Sequence, residues 1–230
     1  MCGRYVLYGN PSRYSENFQT ENWPEFPDRY NIAPSSWVPV IRQSPQGSRV
    51  TDLLRWGLIP NWSRDEAIGA KLNNARGESV AEKPSFRAAF RRRRCIVPAT
   101  GFYEWQEVAG QRKQPWYIHL KHDEPMAMGG LWESWTNPEG EIIRTFCVIT
   151  TGPNAVMAPI HDRMPVILRR ADWAAWLAPD SSPEVVAPLI AAAPADTMEA
   201  WPVTRKVSNA REEGAELMAP LDDWPVPAES

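Results

Sequence analysis

Residues 95–105 read CIVPATGFYEW, residues 116–120 read WYIHL and residues 126–132 read MAMGGLW. Each stretch is short, rich in apolar and aromatic side chains, and bounded by turn-forming or charged residues. Such runs are typical of β-strands, and their close spacing along the chain favours hairpin connections. We therefore predict a set of antiparallel strands in the middle of the chain, around which the other segments are arranged.

The segments on either side continue the β pattern. Residues 37–41 and 50–56 flank a polar turn and predict an early hairpin, while the apolar centre of residues 144–151 predicts a buried strand with Cys147 in the core. Phe86 and Phe90, four residues apart, predict a short helix with one buried face. The other predicted elements are strands at residues 4–7, 166–168 and 200–203, and helical segments at residues 11–22, 85–93, 171–177 and 183–193, the last broken at Pro188.

Composition limits the class of protein. The chain has 230 residues, 43% of them hydrophobic, with 12 tryptophans and 23 prolines. Prolines interrupt long helices and central strands, so we expect one loop-rich domain of the α+β or mainly β class. The three cysteines show no CxxC or cysteine–histidine spacing, which argues against a disulfide framework and a zinc site. With no signal peptide and no apolar run of about 18 residues, we expect a soluble intracellular protein.

Charge is unevenly distributed, although the net charge is only −3 at pH 7. Residues 55–121 hold 13 basic and 6 acidic side chains, whereas residues 122–230 hold 7 and 17. A basic middle segment in an acidic chain suits the binding of a few phosphates rather than the coating of a long polyanion. The four arginines at residues 91–94, taken alone, are equally consistent with a solvated charge run.

The first residues, Met1-Cys2-Gly3-Arg4, offer an unusual nucleophile. Initiator methionine is commonly removed before a small side chain, which would leave Cys2 with a free α-amine and a thiol. Their ordinary pKa values are about 7.7–8 and about 8.5, so part of the amine is unprotonated near neutral pH. With an aldehyde the pair can form an imine and then a thiazolidine; with an acyl group the thiol could attack while the amine acts as base. Retention of Met1 would block the amine, and Cys2 could also be incidental.

Two further side chains are candidates for catalysis. Glu104 lies in the apolar and aromatic stretch GFYEW, where an unpaired carboxylate favours its protonated form and could act as a general acid or base. A glutamate at a strand edge facing water is the alternative. His161 follows a predicted strand and turn and is the histidine best placed for catalysis, whereas His119 and His122 bracket a hairpin turn and are predicted on the surface. Residues 71–78 are dense in hydrogen-bonding groups, which favours a functional loop.

Six short motifs in a fixed order resemble a known family. They are CGR (residues 2–4), YNIAP (30–34), RWGLIP (55–60), NARGE (74–78), GFYEW (101–105) and HDRMP (161–165). Together they resemble the SRAP family, the SOS-response-associated peptidases or abasic-site-processing proteins, over about residues 2–221. The resemblance implies one α+β domain, residues 1–221, with an antiparallel β pseudo-barrel core and peripheral helices, followed by an acidic tail at residues 222–230.

The resemblance also implies an activity and its residues. The protein would bind single-stranded DNA containing abasic sites and form a thiazolidine crosslink between Cys2 and the ring-opened aldehyde, without a cofactor or metal. Asn74 would orient the adduct, Glu104 would transfer protons, and His161 would assist sugar opening and crosslink reversal. The implied DNA contacts are Arg4, Arg76 and Arg163 to phosphates, Trp62 and Trp105 to bases, and Thr150 lining the site. Around Trp62 the chain departs from the family pattern, because residues 63–69 make that segment longer and more polar.

Two other classes of function stay open. In the first, Cys2 is an acyl-transfer nucleophile assisted by Glu104 and His161, and the protein is a peptidase that acts on itself or on others. In the second, Cys2 is incidental and the protein is a noncovalent single-strand-binding module. In each case we expect a cytoplasmic monomer without membrane contact, associated with the bacterial nucleoid when it is bound to DNA.

Overall fold

The computed structural model describes residues 2–222. Asp222 is exposed, and the rest of the acidic tail predicted for residues 222–230 lies outside the described residues. The strands are β1 (Arg4–Leu7), β2 (Arg29–Ile32), β3 (Trp37–Gln43), β4 (Arg49–Trp56), β5 (Asn74–Arg76), β6 (Arg94–Ala99), β7 (Gly101–Gln106), β8 (Gln114–Leu120), β9 (Met126–Thr136), β10 (Ile142–Thr151), β11 (Met164–Pro165) and β12 (Met198–Pro202). The α-helices are α1 (Pro11–Phe18), α2 (Arg87–Arg92), α3 (Trp173–Leu177) and α4 (Pro183–Val186).

The larger sheet closes into a barrel. β3 pairs with β4 and β6, β6 pairs with β9, and β9 pairs with β10, which returns to β4. β5 and β11 add to β10 beside this ring. The α+β class with a pseudo-barrel core is thereby confirmed. Most pairs are antiparallel as predicted, but β10 runs parallel to β4 and β5. Hairpin spacing could not predict this, because parallel strands are joined by long connections.

The second sheet carries the N-terminal end of the chain. Its strand order is β12-β8-β7-β1-β2, and all its pairs are antiparallel. Arg4 lies opposite Tyr103, so β1 begins beside the far end of β7. Phe102 and Ile118 of this sheet belong to the same buried cluster as Phe146 of the barrel. The two sheets therefore share one apolar core, and the start of the chain packs against it through Cys2 and Tyr5.

The central hairpins form because their residues fit a closely packed interior. β6 is buried along its whole length, and it pairs with β9 in the antiparallel arrangement predicted for these segments. A Cβ atom at Gly130 would lie 2.9 Å from the Cys147 carbonyl oxygen and 3.0 Å from Cys95 Sγ. Only glycine allows β9 to approach its neighbours this closely.

The helices are short and lie outside the sheets. Asn10 accepts a hydrogen bond from the Ser12 N–H at the start of α1, and Tyr14 and Phe18 are the buried side chains of that helix. Phe86 and Phe90 are buried as predicted. The segment predicted at residues 183–193 is helical only in α4, followed by a 3₁₀ turn at Ala187–Leu189. Within residues 2–222, no helix has the length and apolar character needed to cross a membrane.

Two predictions about local structure were wrong. Asn74–Arg76, predicted within a loop, forms β5 on the edge of β10. The strand predicted at residues 166–168 is replaced by β11 just before it and by an isolated bridge between Met128 and Ile167. In both places the partner strand lies far away in the sequence, so the local residue pattern contains no signal for the pairing.

One prediction about exposure was also wrong, and one of the two alternatives for the arginine run is excluded at its last residue. His119, predicted on the surface, is buried on β8 and its ring stacks on Tyr117 at a centroid distance of 5.4 Å. Arg94, the last arginine of the predicted charge run, is buried, and its guanidinium donates to main-chain carbonyls that include those of Trp176 and Phe90. Hydrogen bonds to carbonyls stabilise a buried guanidinium without a carboxylate, which a charge pattern cannot reveal.

Candidate active site

Cys2 lies just before β1, an interior strand of the second sheet that pairs with β7 and β2. Its side chain is fully buried in the main apolar cluster. Burial raises the pKa of the Cys2 thiol, and the negative charge of Glu104 raises it further. The thiol therefore stays protonated near neutral pH, and it lies close enough to Glu104 for the two charges to interact.

Asn74 ties the N-terminal segment to the barrel. Its Nδ2 donates to the Cys2 carbonyl oxygen at 2.8 Å, across 72 positions of sequence. The pairing of Asn74 with Val148 in the parallel β5–β10 ladder sets this position. Its Oδ1 is buried and accepts no hydrogen bond from any group that the structure describes. An unsatisfied buried carbonyl is costly, so Oδ1 is a ready acceptor for an N–H or O–H group brought to Cys2.

Glu104 and His161 lie close together, and the charge of Glu104 acts on the Cys2 thiol. Glu104 on β7 is 3% exposed, and its Oε1 lies 3.8 Å from His161 Nε2. Oε1 also accepts the Trp105 main-chain N–H at 3.2 Å. Burial excludes the water-facing glutamate that was the alternative, and His161 lies beside the buried carboxylate. The pair is suited to moving a proton between carboxylate and imidazole.

The other nitrogen of His161 is oriented by its own loop. Nδ1 accepts the main-chain N–H of Arg163 at 3.0 Å, and the Asp162 carboxylate lies 2.9 Å from the same atom. A hydrogen bond donated to Nδ1 favours the neutral ring with its proton on Nε2, which faces Glu104, whereas the Asp162 carboxylate beside Nδ1 favours a proton on Nδ1. The Arg163 N–H is thus the contact in this loop that favours a proton on the Glu104 side of His161.

Arg163 and Thr150 form a second contact region beside this pair. The Arg163 guanidinium donates to both carboxylate oxygens of Glu78, the second at 3.0 Å, and to the Thr150 carbonyl oxygen at 2.7 Å. Thr150 is fully buried at the end of β10. The hydrogen bonds from Arg163 lower the pKa of the Glu78 carboxyl group. Arg163, predicted as a phosphate contact, is therefore already paired in the free protein.

Arg4 and Trp105 meet at another segment. Arg4 Nη1 donates to the Val207 carbonyl oxygen at 2.7 Å and to Asn31 Oδ1 at 2.8 Å. Trp105 Nε1 donates to Ser208 Oγ at 3.0 Å. Partial burial lowers the pKa of Arg4. Both predicted DNA contacts thus hold residues 207–208 against the second sheet.

Trp62 and Arg76 differ from the other predicted DNA contacts because their side chains face solvent. Trp62 is 57% exposed and follows Pro60 in a turn. The neighbouring Ser63 carbonyl accepts the Trp135 indole N–H at 2.7 Å, which holds the turn on β9. Arg76 is exposed and lies opposite Thr150 in the β5–β10 ladder. An exposed indole and an exposed guanidinium are free to stack and to bind phosphate.

The structure thus links the four predicted catalytic residues through contacts or charge: Cys2 with Asn74 and Glu104, and Glu104 with His161. Two contacts were not predicted: that of Glu78 with Arg163 and that of Ser208 with Trp105. The position of Glu78 in the NARGE motif was a signal for the first contact, whereas no motif includes Ser208. No cluster of three or more potential metal-ligating side chains occurs within residues 2–222. A cavity of about 620 Å³ lies elsewhere, lined by residues that include Leu120, Ile167 and Trp173.

Comparison with known proteins identifies the family to which the chain belongs. Residues 1–210 match the family described as SOS response associated peptidase, SRAP. The chain belongs to this family. A protein from Bacteroides thetaiotaomicron with a known crystal structure shares the SRAP chain's fold with a TM-score of 0.87 and 26% identity, over 96% of this chain and all of that one.

Relatives of this SRAP chain occur in bacteria and in vertebrates. The abasic site processing protein YoqW of Bacillus subtilis is 40% identical over 222 residues, which cover 95% of this chain and 99% of YoqW. The abasic site processing protein HMCES of Xenopus tropicalis is 31% identical over 265 residues, which cover 96% of this chain and 78% of HMCES. The similarity to YoqW extends over nearly the whole of both proteins.

Proposed function

We propose that this SRAP protein, once Met1 is removed, captures abasic sites in single-stranded DNA as a covalent adduct of Cys2. The observation that carries the proposal is the connection of the Cys2 backbone to Asn74 and of Glu104 to His161, around one buried thiol. The names of YoqW and HMCES support an abasic site as the substrate. An abasic deoxyribose in its open form has the aldehyde that an aminothiol traps.

The proposed reaction has two bond-forming steps. The unprotonated α-amine of Cys2 adds to the aldehyde carbon, and loss of one water molecule gives an imine. The Cys2 sulfur then adds to the imine carbon, and the thiol proton is transferred to the nitrogen, which closes a five-membered thiazolidine. The overall reaction joins protein and DNA and releases one water. Because the pKa of the thiol is raised, the second step needs a neighbouring base rather than a free thiolate.

Glu104 is the proposed proton carrier for both steps. As an acid it protonates the departing hydroxyl group when the imine forms, and as a base it accepts the thiol proton when the ring closes. Its charge already acts on the Cys2 thiol, and its burial excludes competing water. Asn74 would hold the reacting residue through the Cys2 carbonyl and use its unsatisfied Oδ1 to accept from the amine or from a sugar hydroxyl.

His161 is the proposed acid for the sugar. Its Nε2 proton, directed toward Glu104 in the free protein, would be donated to the ring oxygen as the closed sugar opens to the aldehyde. The same proton transfer in reverse returns the sugar to its closed form when the adduct is released. His161 and Glu104 therefore divide the work between sugar opening and crosslink formation.

The DNA strand is proposed to lie across the exposed side chains of Trp62 and Arg76. Trp62 would stack on a base and Arg76 would bind a phosphate beside the lesion, both without reading sequence. Arg4, Trp105, Thr150 and Arg163 would complete the groove, with Arg163 and Arg4 contributing through the segments that they hold. The proposed unit is a monomer comprising residues 1–221.

The test uses single-stranded DNA containing uracil that has been treated with uracil glycosylase. We expect the protein lacking Met1 to give a heat-resistant band of reduced mobility, with the attachment site at Cys2 by mass spectrometry. Cys2→Ala should give no such band while it still binds the DNA. An equal band from Cys2→Ala, or none from the Met1-free protein, would contradict the proposal.

Peptidase activity is the competing function, and the family's descriptive name refers to it. Self-processing would cleave the bond between Met1 and Cys2 with Glu104 and His161 as assisting groups. The raised pKa of the Cys2 thiol weighs against it, because an acyl-transfer nucleophile is most reactive as a thiolate. Intact mass distinguishes the two functions: self-processing predicts retained Met1 in Glu104→Ala and His161→Ala, whereas the crosslinking function predicts its removal in both. A noncovalent module would instead bind undamaged strands tightly and give no covalent product.

A further inference from the structure

Glu78 has no role in the reaction proposed above, yet it has the most specific polar contact near the site. Both of its carboxylate oxygens accept hydrogen bonds from the Arg163 guanidinium. The paired guanidinium is 13% exposed and the carboxylate side chain 57% exposed, so solvent reaches the glutamate but little of the arginine. Two parallel hydrogen bonds fix the orientation of a guanidinium as well as its position.

The contact joins two segments that flank the end of β10. Glu78 follows β5, and Arg163 precedes β11. Arg76 of β5 and Pro165 of β11 both lie opposite Thr150. The Arg163 guanidinium also donates to the Thr150 carbonyl oxygen at 2.7 Å and contacts its hydroxyl oxygen at 3.2 Å. The ion pair between Glu78 and Arg163 therefore joins the segment after β5 to the segment before β11 across the end of β10. We call this contact, together with the hydrogen bonds from Arg163 to Thr150, the clamp.

The clamp reaches His161 through the main chain. Arg163 is two residues after His161, and its own N–H is the donor to His161 Nδ1. Fixing the Arg163 side chain on Glu78 and Thr150 fixes the direction of this N–H. A hydrogen bond held at Nδ1 in turn favours, against the neighbouring Asp162 carboxylate, the neutral form with its proton on Nε2, 3.8 Å from Glu104 Oε1.

We propose that Glu78 is a positioning residue for His161: through Arg163 it holds the imidazole in the orientation that donates a proton from Nε2. The inference rests on the proposed function for its kinetic consequence, although the orientation itself is a property of the free protein. Charged groups that face His161 include Glu104 from β7 and Asp162 from its own loop. A substitution at Glu78 leaves both of these side chains in the sequence.

The variant is Glu78→Gln, which keeps the size of the side chain and removes the charge that attracts Arg163. Glu82→Gln is the matched control, an exposed glutamate four residues further along the chain. We expect Glu78→Gln to slow transfer of the adduct to competitor abasic DNA by about five- to tenfold, within the range of general acid assistance. Binding to undamaged DNA and the melting temperature should match those of Glu82→Gln, and Glu78→Asp should recover part of the rate.

A double-mutant cycle separates positioning from a general structural effect. In a His161→Ala background, Glu78→Gln should cause no further slowing, because the residue through which it acts is gone. Multiplicative slowing in the double variant would overturn the proposal, as would a wild-type transfer rate in Glu78→Gln alongside slow transfer in His161→Ala.

A measurement on the free protein keeps the inference distinct from the proposed function. The chain has three histidines, so the His161 imidazole signals in a ¹⁵N-resolved NMR spectrum are identified by their loss in His161→Ala. We expect Glu78→Gln to change the chemical shifts of the two His161 ring nitrogens, which report the tautomer balance, and Glu82→Gln to leave them unchanged. If the wild type forms no crosslink, the proposed function fails while this spectrum still decides the role of Glu78. Unchanged His161 signals in Glu78→Gln would overturn that role.

Discussion

Cys2 and Cys147 are both fully buried, and burial raises the pKa of both thiols. Their neighbourhoods differ. Cys147 lies in the middle of β10 with strands on both sides, and its carbonyl is close to the position of Gly130. Cys2 lies just before the first residue of β1, its carbonyl oxygen accepts a hydrogen bond from Asn74, and the charge of Glu104 acts on its thiol.

Burial is common to Cys2, the proposed nucleophile, and to Cys147, so burial alone does not set Cys2 apart. Desolvation acts on both thiols and makes both poor thiolates. What differs is the presence of groups that can move a proton, and of a main-chain nitrogen that would become a free amine if Met1 were removed. The reactivity proposed for Cys2 therefore depends on its neighbours and on that removal, and each of the following predictions tests one part of the difference.

The largest difference is expected between a substitution at Cys147 and a substitution at Cys2. Cys147→Ala should capture abasic DNA at close to the wild-type rate, with a loss of stability of about 1–2 kcal/mol from the small cavity it leaves. Cys2→Ser should retain the amine and form only an imine, so its product should be heat-labile and trapped by borohydride. Gel assays with and without borohydride measure both. A heat-stable product from Cys2→Ser would show that sulfur is not part of the linkage.

Glu104→Gln removes the proton carrier and keeps its shape. We expect capture at pH 7 to slow by at least about tenfold, because general acid or base assistance is typically worth roughly 10² to 10⁴ in rate. DNA binding should be unchanged. Single-turnover time courses at saturating DNA measure the rate, and Glu82→Gln serves as the control. Capture at the wild-type rate with binding unchanged would remove Glu104 from the mechanism.

His161→Ala should act mainly on release of the adduct. Because His161 is assigned to opening and closing of the sugar, its loss should slow transfer to competitor abasic DNA more than Glu104→Gln does, by about tenfold or more. The transfer assay starts from purified crosslink and excess competitor strand. Equal transfer rates in the two variants would mean that the two residues do not divide the work.

The smallest effect concerns the free energy of unfolding at alkaline pH. It tests the feature that Cys2 and Cys147 share, a thiol whose pKa is raised by burial. Unfolded thiols lose their protons near pH 8.5, whereas the buried thiols keep theirs because their folded pKa values are raised. Above pH 8.5 the unfolded state therefore binds fewer protons than the folded state, and the free energy of unfolding must fall as pH rises. The fall is at most about 1.4 kcal/mol per pH unit for each thiol.

Urea unfolding at pH 8 and pH 9.5 measures this slope. Cys147→Ala should show a shallower fall than the wild type, since one buried thiol is missing. An equally steep or steeper fall in Cys147→Ala would indicate that the Cys147 thiol ionises in the folded protein. Protonated buried thiols would then not be a feature that Cys147 shares with Cys2.

Many elements were predictable because their signals are local. The alternation and turn residues around 37–56 and 95–132 predicted strands that the structure contains, and the spacing of Phe86 and Phe90 predicted a buried helix face. The exposure of His119 and Arg94 was not predictable, because it depends on which distant groups cover them. His119 stacks on Tyr117 of β8 and meets Trp201 of β12 edge to face, and Arg94 donates to the carbonyls of Trp176 in α3 and of Ala178 after it.

The sequence by itself determined the side chains available for the proposed chemistry: a cysteine directly after Met1, a glutamate among aromatic residues, and a histidine in the HDRMP motif. The order of its motifs also determined the family. Only the tertiary structure decided that Asn74 meets Cys2, that His161 is the partner of Glu104, and that Arg163 is held by Glu78. These contacts depend on the closure of the barrel and on parallel pairing of β10 with β4 and β5, which join residues far apart in the chain. Such pairings are set by the packing of whole sheets rather than by any local run of residues, so no reading of a single segment could provide them.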